Sequence, residues 1–157
     1  MAYVLEAVIA TEPVLSFAEH YWGSAATVVP LRQGLSIVPM TDDLFDEVSD
    51  GSLETPPGFW RFPGGLGRVL CDWSSHGRVA YVEAEYFGGI GRQCSAVWDS
   101  GAIMFGPVTA DDDEPTPAAA NTPISRALAL LGVLRAGSHD EFEAAGLRLH
   151  RRTEDWR

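Results

Sequence analysis

The chain has 157 residues, 46% of them hydrophobic and 21% charged, which suits one globular domain over 1–157 and excludes wholesale disorder. Its 22 acidic residues outweigh 11 basic ones, all Arg, for a formal net charge of -11; this excludes a nucleic-acid reader and favours a basic protein partner. Two cysteines make no disulfide framework, no apolar run reaches the ~18 residues of a membrane span, and the start lacks a basic n-region, so a cytoplasmic protein with free thiols is expected.

Residues 3–10 are rich in β-formers and read as a strand. A short helix follows from Glu12-Pro13, with Pro near its first turn, and ends near Trp22-Gly23. Residues 27–31 and 35–38 read as short strands joined by a tight turn at Arg32-Gln33-Gly34. Thr41 caps a helix over 41–48, with acids in its first turn and one apolar face. Gly51, Pro56, Pro57, Gly58 and Pro63 make 49–63 a loop. Leu66, Val69, Leu70 and Trp73 recur at helical spacing over 66–73.

The clearest stretch comes next. Val79 to Phe87 is a strand, Gly88-Gly89-Ile90-Gly91 a turn, Arg92 to Asp99 a strand, and Ala102 to Phe105 a third strand after Ser100-Gly101. The Pro- and acid-rich segment 110–121 reads as a flexible linker. Asn121 or Thr122 caps a helix that carries Ile124, Leu128, Leu131 and Leu134 on one face. A short helix over 139–145 precedes a polar tail over 148–157. Short connections between neighbouring strands give an α+β fold: a mixed, mostly antiparallel sheet of about six strands with helices packed on one face.

Side chains alternate along a strand, so Ala80, Val82, Ala84 and Tyr86 form one face of the 79–87 strand, fit for a core. Tyr81, Glu83, Glu85 and Phe87 form the other. Its two carboxylates lie roughly 7 Å apart by strand rise. What joins them depends on register. Pairing Glu85 with Gln93 adds Gln93, Ser95 and Val97; a one-residue slip adds Arg92, Cys94, Ala96 and Trp98. The first pairing is favoured, because Cys94, Ala96 and Trp98 suit a core better than Gln93 and Ser95. Three uses are open to the acid pair: a solvated outer face, a partner-binding face, or acid–base chemistry with one raised pKa.

Other motifs carry less. Gly88-Gly89-Ile90-Gly91 lacks the spacing of a phosphate loop and is followed by a strand. His20, His76, His139 and His150 show no metal-ligand spacing, and Asp111 to Glu114 lacks the glycine and distal Glu of a calcium loop, so neither a metal nor a cofactor is expected. No local pattern couples Cys94 to a histidine for nucleophilic catalysis. Phe59-Trp60-Arg61-Phe62 either forms a binding edge or folds back to cap the core.

The run Val79-Ala80-Tyr81-Val82-Glu83-Ala84-Glu85-Tyr86-Phe87-Gly88-Gly89-Ile90-Gly91-Arg92-Gln93 resembles a segment of small uncharacterised bacterial proteins. The tail residues Asp140-Glu141-Phe142-Glu143, Gly146-Leu147, His150-Arg151 and Thr153-Glu154-Asp155-Trp156 extend the likeness. The group is similar to immunity-type proteins, which neutralise toxins of interbacterial competition. The resemblance implies a non-enzymatic binder of one partner protein and carries no catalytic residues with it. On this reading Glu83, Glu85, Gln93 and Trp60 are the expected contacts. The alternatives are a small enzyme or metal-dependent hydrolase using Glu83 and Glu85, and a structural homodimer with Tyr81 and Phe87 in its seam.

Overall fold

The computed structural model describes residues 2–88, 90–111 and 122–157. Its centre is a six-stranded sheet in the order β2-β3-β1-β4-β5-β6, and every pairing between these strands is antiparallel. The strands are β1 (Ala2–Thr11), β2 (Val29–Pro30), β3 (Leu35–Pro39), β4 (Val79–Phe87), β5 (Ile90–Asp99) and β6 (Ala102–Asp111). The helices are α1 (Glu12–Leu15), α2 (Ala18–Trp22), α3 (Asp42–Val48), α4 (Leu66–Trp73), α5 (Pro123–Leu130) and α6 (Glu141–Ala145). This is the expected α+β class. Among the described residues, no helix is long and apolar enough to cross a membrane.

The helices do not sit on one face as expected. β1 and β4 are buried without a break over Leu5–Ala10 and Val79–Ala84, the pattern of strands covered on both sides. On one face Val8, Val38, Tyr81, Ala96 and Trp98 pack with α1, α2, α3, α4 and Phe59 and Phe62 of the 49–63 loop. On the other, Leu5, Ile9, Ile37, Val82 and Val97 pack with Ile124 and Leu128 of α5, Ala144 and Ala145 of α6, and Trp156. Each fully buried aliphatic side chain contributes about 1.5–3 kcal/mol, so two cores fasten this one sheet.

Local signals place most elements. The Thr41 hydroxyl accepts the Leu44 N–H at 3.2 Å and starts α3. The expected first helix is instead two, α1 and α2, interrupted at Ser16-Phe17. β6 runs to Asp111, well beyond the expected Phe105, and bends at an irregularity opposite Val97. Gly106 sits there at φ +79, where a Cβ would come within 2.4 Å of the Ser95 carbonyl oxygen, so only glycine fits. Of the linker expected over 110–121, Ala110 and Asp111 close β6 and the rest lies outside the described residues.

α5 ends at Leu130, so Leu134 is not on its apolar face and is 72% exposed. The tail is not simply polar. The Val4 N–H donates to the Arg151 carbonyl, Val4 and Arg152 bridge in parallel, and Trp156 is buried. The tail thereby completes the edge of β1 that β3, paired only with Ala7–Thr11, leaves open.

Candidate functional site

The pairing of β4 with β5 sets the site. Glu83 lies opposite Cys94 and Glu85 opposite Arg92, which is the register offered by the one-residue slip and not the favoured one. The polarity of Gln93 and Ser95 argues for an open face, but the sheet is covered on both sides. Gln93 and Ser95 instead face α5, where Gln93 Oε1 accepts the Ile124 N–H at 3.1 Å and the Ser95 hydroxyl donates to the Pro123 carbonyl at 2.6 Å. Gln93 is therefore not beside the acid pair.

Glu83 is not on a solvated face either; it is fully buried. The 49–63 loop folds back over it, with Phe59 and Phe62 packed against Tyr81 at ring-centroid distances of 5.1 Å each. The loop lies close enough that a Cβ on Gly58 would meet Thr109 Cγ2 at 2.7 Å. This delivers two backbone donors to one carboxylate. The Trp60 N–H donates to Glu83 Oε1 at 2.8 Å, and the Arg61 N–H to Oε2 at 2.9 Å. The Tyr81 hydroxyl stands between Oε2, at 3.0 Å, and the Arg61 carbonyl. Its one proton serves only one of them; when it goes to the Arg61 carbonyl, which has no proton to give, a proton on Glu83 serves the contact with the Tyr81 oxygen.

Across the sheet, Glu6 of β1 is the register partner of Glu83. Residues so placed have Cβ atoms about 4.5–5.5 Å apart, where like charges destabilise. Burial raises the Glu83 pKa to about 7, against the lowering effect of the Trp60 and Arg61 N–H groups. Burial also raises the Glu6 pKa, opposed chiefly by the Thr153 hydroxyl. Both shifts favour the protonated form beyond what an exposed carboxyl shows.

The sequence marks Glu6 only as a lone acid between Leu5 and Ala7 in an apolar strand. Thr153 serves it twice. Its Oγ1 accepts the Glu6 N–H at 3.0 Å, and its hydroxyl donates to Glu6 Oε2. Replacing Thr153 with Val keeps the shape and removes both bonds. The expected loss is about 2 kcal/mol of unfolding free energy, read by urea denaturation. A loss within the error of zero would mean that water replaces the hydroxyl.

The remaining expected contacts, Glu85 and Trp60, are half-buried. Glu85 pairs with Arg92 at 3.7 Å, and the Arg92 guanidinium stacks on the half-buried Trp60 ring at 4.0 Å. Tyr81, being fully buried, is not open to a dimer seam, whereas Phe87 is exposed. A cleft of about 440 Å³ lies at this end of the sheet, with Val4, Glu6, Phe87, Asp42, Arg61 and Arg152 among its lining residues. Arg61 is ion-paired with Asp42.

Nucleophilic and metal chemistry find little here. Burial and the neighbouring Glu83 push the Cys94 thiol up to about 12, which disfavours the thiolate. Among the described residues, no three His, Cys, Asp or Glu side chains gather as metal ligands. What the arrangement can do is hold a proton on a buried carboxyl pair, of which Glu6 lines a cleft that mixes apolar and charged groups. Comparisons with models of known families, with curated proteins and with solved structures found no match to this chain.

Proposed function

We propose that this chain is a non-enzymatic protein-binding protein of the toxin-immunity type, which blocks a basic partner by steric and electrostatic occlusion. The observation that carries this reading is the pair Phe87 and Ile90. They stand opposite one another at the end of the β4–β5 hairpin, 53% and 71% exposed. Large apolar side chains at a strand end add little to a monomer's core. With Glu85 and Arg92 two residues along on the same face, and Trp60 under the Arg92 guanidinium, they resemble the apolar centre and charged flank of a binding hot spot. Asp42, which shares the cleft with Phe87, begins the acidic helix α3, whose Asp43, Asp46 and Glu47 are exposed. Such a field speeds encounter with a basic surface.

The test is affinity capture from the native host with the wild-type protein and two variants, Phe87→Ser/Ile90→Ser and Glu85→Gln. One basic protein should be retained by the wild type. The double variant should weaken retention by an order of magnitude or more, about 1.4 kcal/mol per tenfold. Glu85→Gln should slow association more at low salt than at high. An empty capture, or retention indifferent to all three substitutions, overturns the reading.

A second reading, a small acid–base or ligand-binding site, is favoured by one observation. Glu6 borders the cleft and is backed by a carboxyl whose pKa is about 7. Glu6 would then touch the ligand, because the loop backbone seals Glu83 behind it.

A further inference from the structure

A second cleft, of about 350 Å³, opens on the opposite face of the sheet from the carboxyl pair. Three rings border it: Tyr3, Tyr86 and Phe142, with Tyr3 and Phe142 meeting edge to face at 5.4 Å. The Tyr3 hydroxyl is committed to the Leu147 carbonyl at 2.9 Å, so that residue offers the cleft its ring. Gln93 lies against it almost fully buried. Since its Oε1 is taken by the Ile124 N–H, its amide N–H groups remain as donors.

Arg148 and Arg151, both exposed, stand at the mouth. Arg61, Arg68, Arg78, Arg92 and Arg135 each pair with a carboxylate, whereas Arg148 and Arg151 make no ion pair among the described residues. On a chain with twice as many acids as bases, two unpaired guanidinium groups on one cleft concentrate positive charge where the net field is negative. Asp140 also borders the cleft, but its carboxylate is buried and accepts the Glu143 N–H at 2.8 Å to cap α6.

We infer that this cleft binds a small aromatic anion. The ring lies among Tyr3, Tyr86 and Phe142, where offset and edge-on contacts are favourable. The carboxylate or phosphate is held at the mouth by Arg148 and Arg151, whose planar forks match either group. The Gln93 amide meets a polar substituent on the ring. The volume fits a ligand between a substituted benzoate and a mononucleotide, at the small end of ordinary ligand pockets. The site is independent of the protein-binding reading, which uses the other face.

The test is an NMR titration of the isotope-labelled full chain with four probes: salicylate, adenosine monophosphate, adenosine and inorganic phosphate. Salicylate or adenosine monophosphate should saturate with a Kd at or below about 1 mM and shift the Gln93 side-chain amide. Arg148→Gln and Arg151→Gln, both at exposed positions, should each weaken that binding about tenfold while leaving the rest of the spectrum in place. Adenosine and inorganic phosphate should bind at least about tenfold more weakly, since each lacks half of the recognised chemistry. Salicylate against adenosine monophosphate then separates a carboxylate ligand from a phosphate one. The inference fails if neither ring-bearing anion saturates. It fails equally if the arginine variants bind as well as wild type, or if adenosine or inorganic phosphate alone matches the ring-bearing anion.

Discussion

Between pH 4.5 and 7 the unfolding free energy of the wild type should fall by about 3 kcal/mol relative to that of Glu83→Gln. The figure follows from the Glu83 pKa, raised from 4.5 to about 7, at about 1.4 kcal/mol per unit. The sign follows from where the proton sits. In this window the unfolded chain has released the Glu83 proton and the folded chain still holds it, so rising pH favours the unfolded state. The contribution is therefore fully present below pH 4.5, is lost progressively up to about 7, and is constant above that. Glu6, whose pKa is also raised, gives each protein a slope of the same sign that the comparison largely removes. Comparing the variant with the wild type cancels the titration of exposed carboxylates.

Gln at 83 retains one oxygen for one loop N–H and turns an amide toward the other, so the variant should be less stable than wild type at low pH, with the gap narrowing as pH rises. Urea denaturation of both proteins at half-unit intervals gives the difference directly. A difference that stays flat across the window would mean that Glu83 is ionised throughout and that its bonds to the loop outweigh its burial.

Replacing Phe62 with Ala should cost about 3–5 kcal/mol, the range for a buried phenylalanine. Phe62 is 5% exposed and joins three rings, at 5.1 Å to Tyr81, 5.4 Å to Phe59 and 6.0 Å to Trp98. It therefore ties the 49–63 loop to the sheet. Since a domain is typically stable by only about 5–15 kcal/mol, the variant should sit near the edge of folding. Phe62→Leu, which refills part of the cavity, should recover much of the loss. In that milder variant, hydrogen exchange at the Trp60 and Arg61 amides should quicken before exchange in β1 or β4 does. A loss below about 1 kcal/mol for Phe62→Ala would make the loop a peripheral strap, well under the ordinary cost of emptying a core site.

The two tests separate the forces that hold the loop. If Phe62→Ala is severe while Glu83→Gln is mild at neutral pH, apolar packing fixes the loop and the carboxylate only aligns it. The reverse would make the N–H bonds to Glu83 the main fastening. Either result bears on the proposed interface, because Trp60 and Arg92 stack at the loop's outer edge and Phe87 lies beyond it.

Local chemistry in the sequence determined a good deal of this protein. Alternation and turn residues place β4 at Val79–Phe87, Thr41 starts α3, and helical spacing sets α4 at Leu66–Trp73. The short connections dictate antiparallel pairing, and alternation puts Tyr81, Glu83, Glu85 and Phe87 on one face. Only the tertiary structure decided what covers that face. Alternation reports which side chains share a side of a strand, and it is silent on whether water or another segment lies against them. Reading polarity as exposure favours the wrong register and leaves a solvated face among the uses open to Glu83. A loop 23 residues earlier supplies the donors that let the carboxylate be buried, and Thr153, 147 residues beyond Glu6, does the same across the sheet. A buried acid needs partners, and partners that distant in the chain leave no local pattern to read.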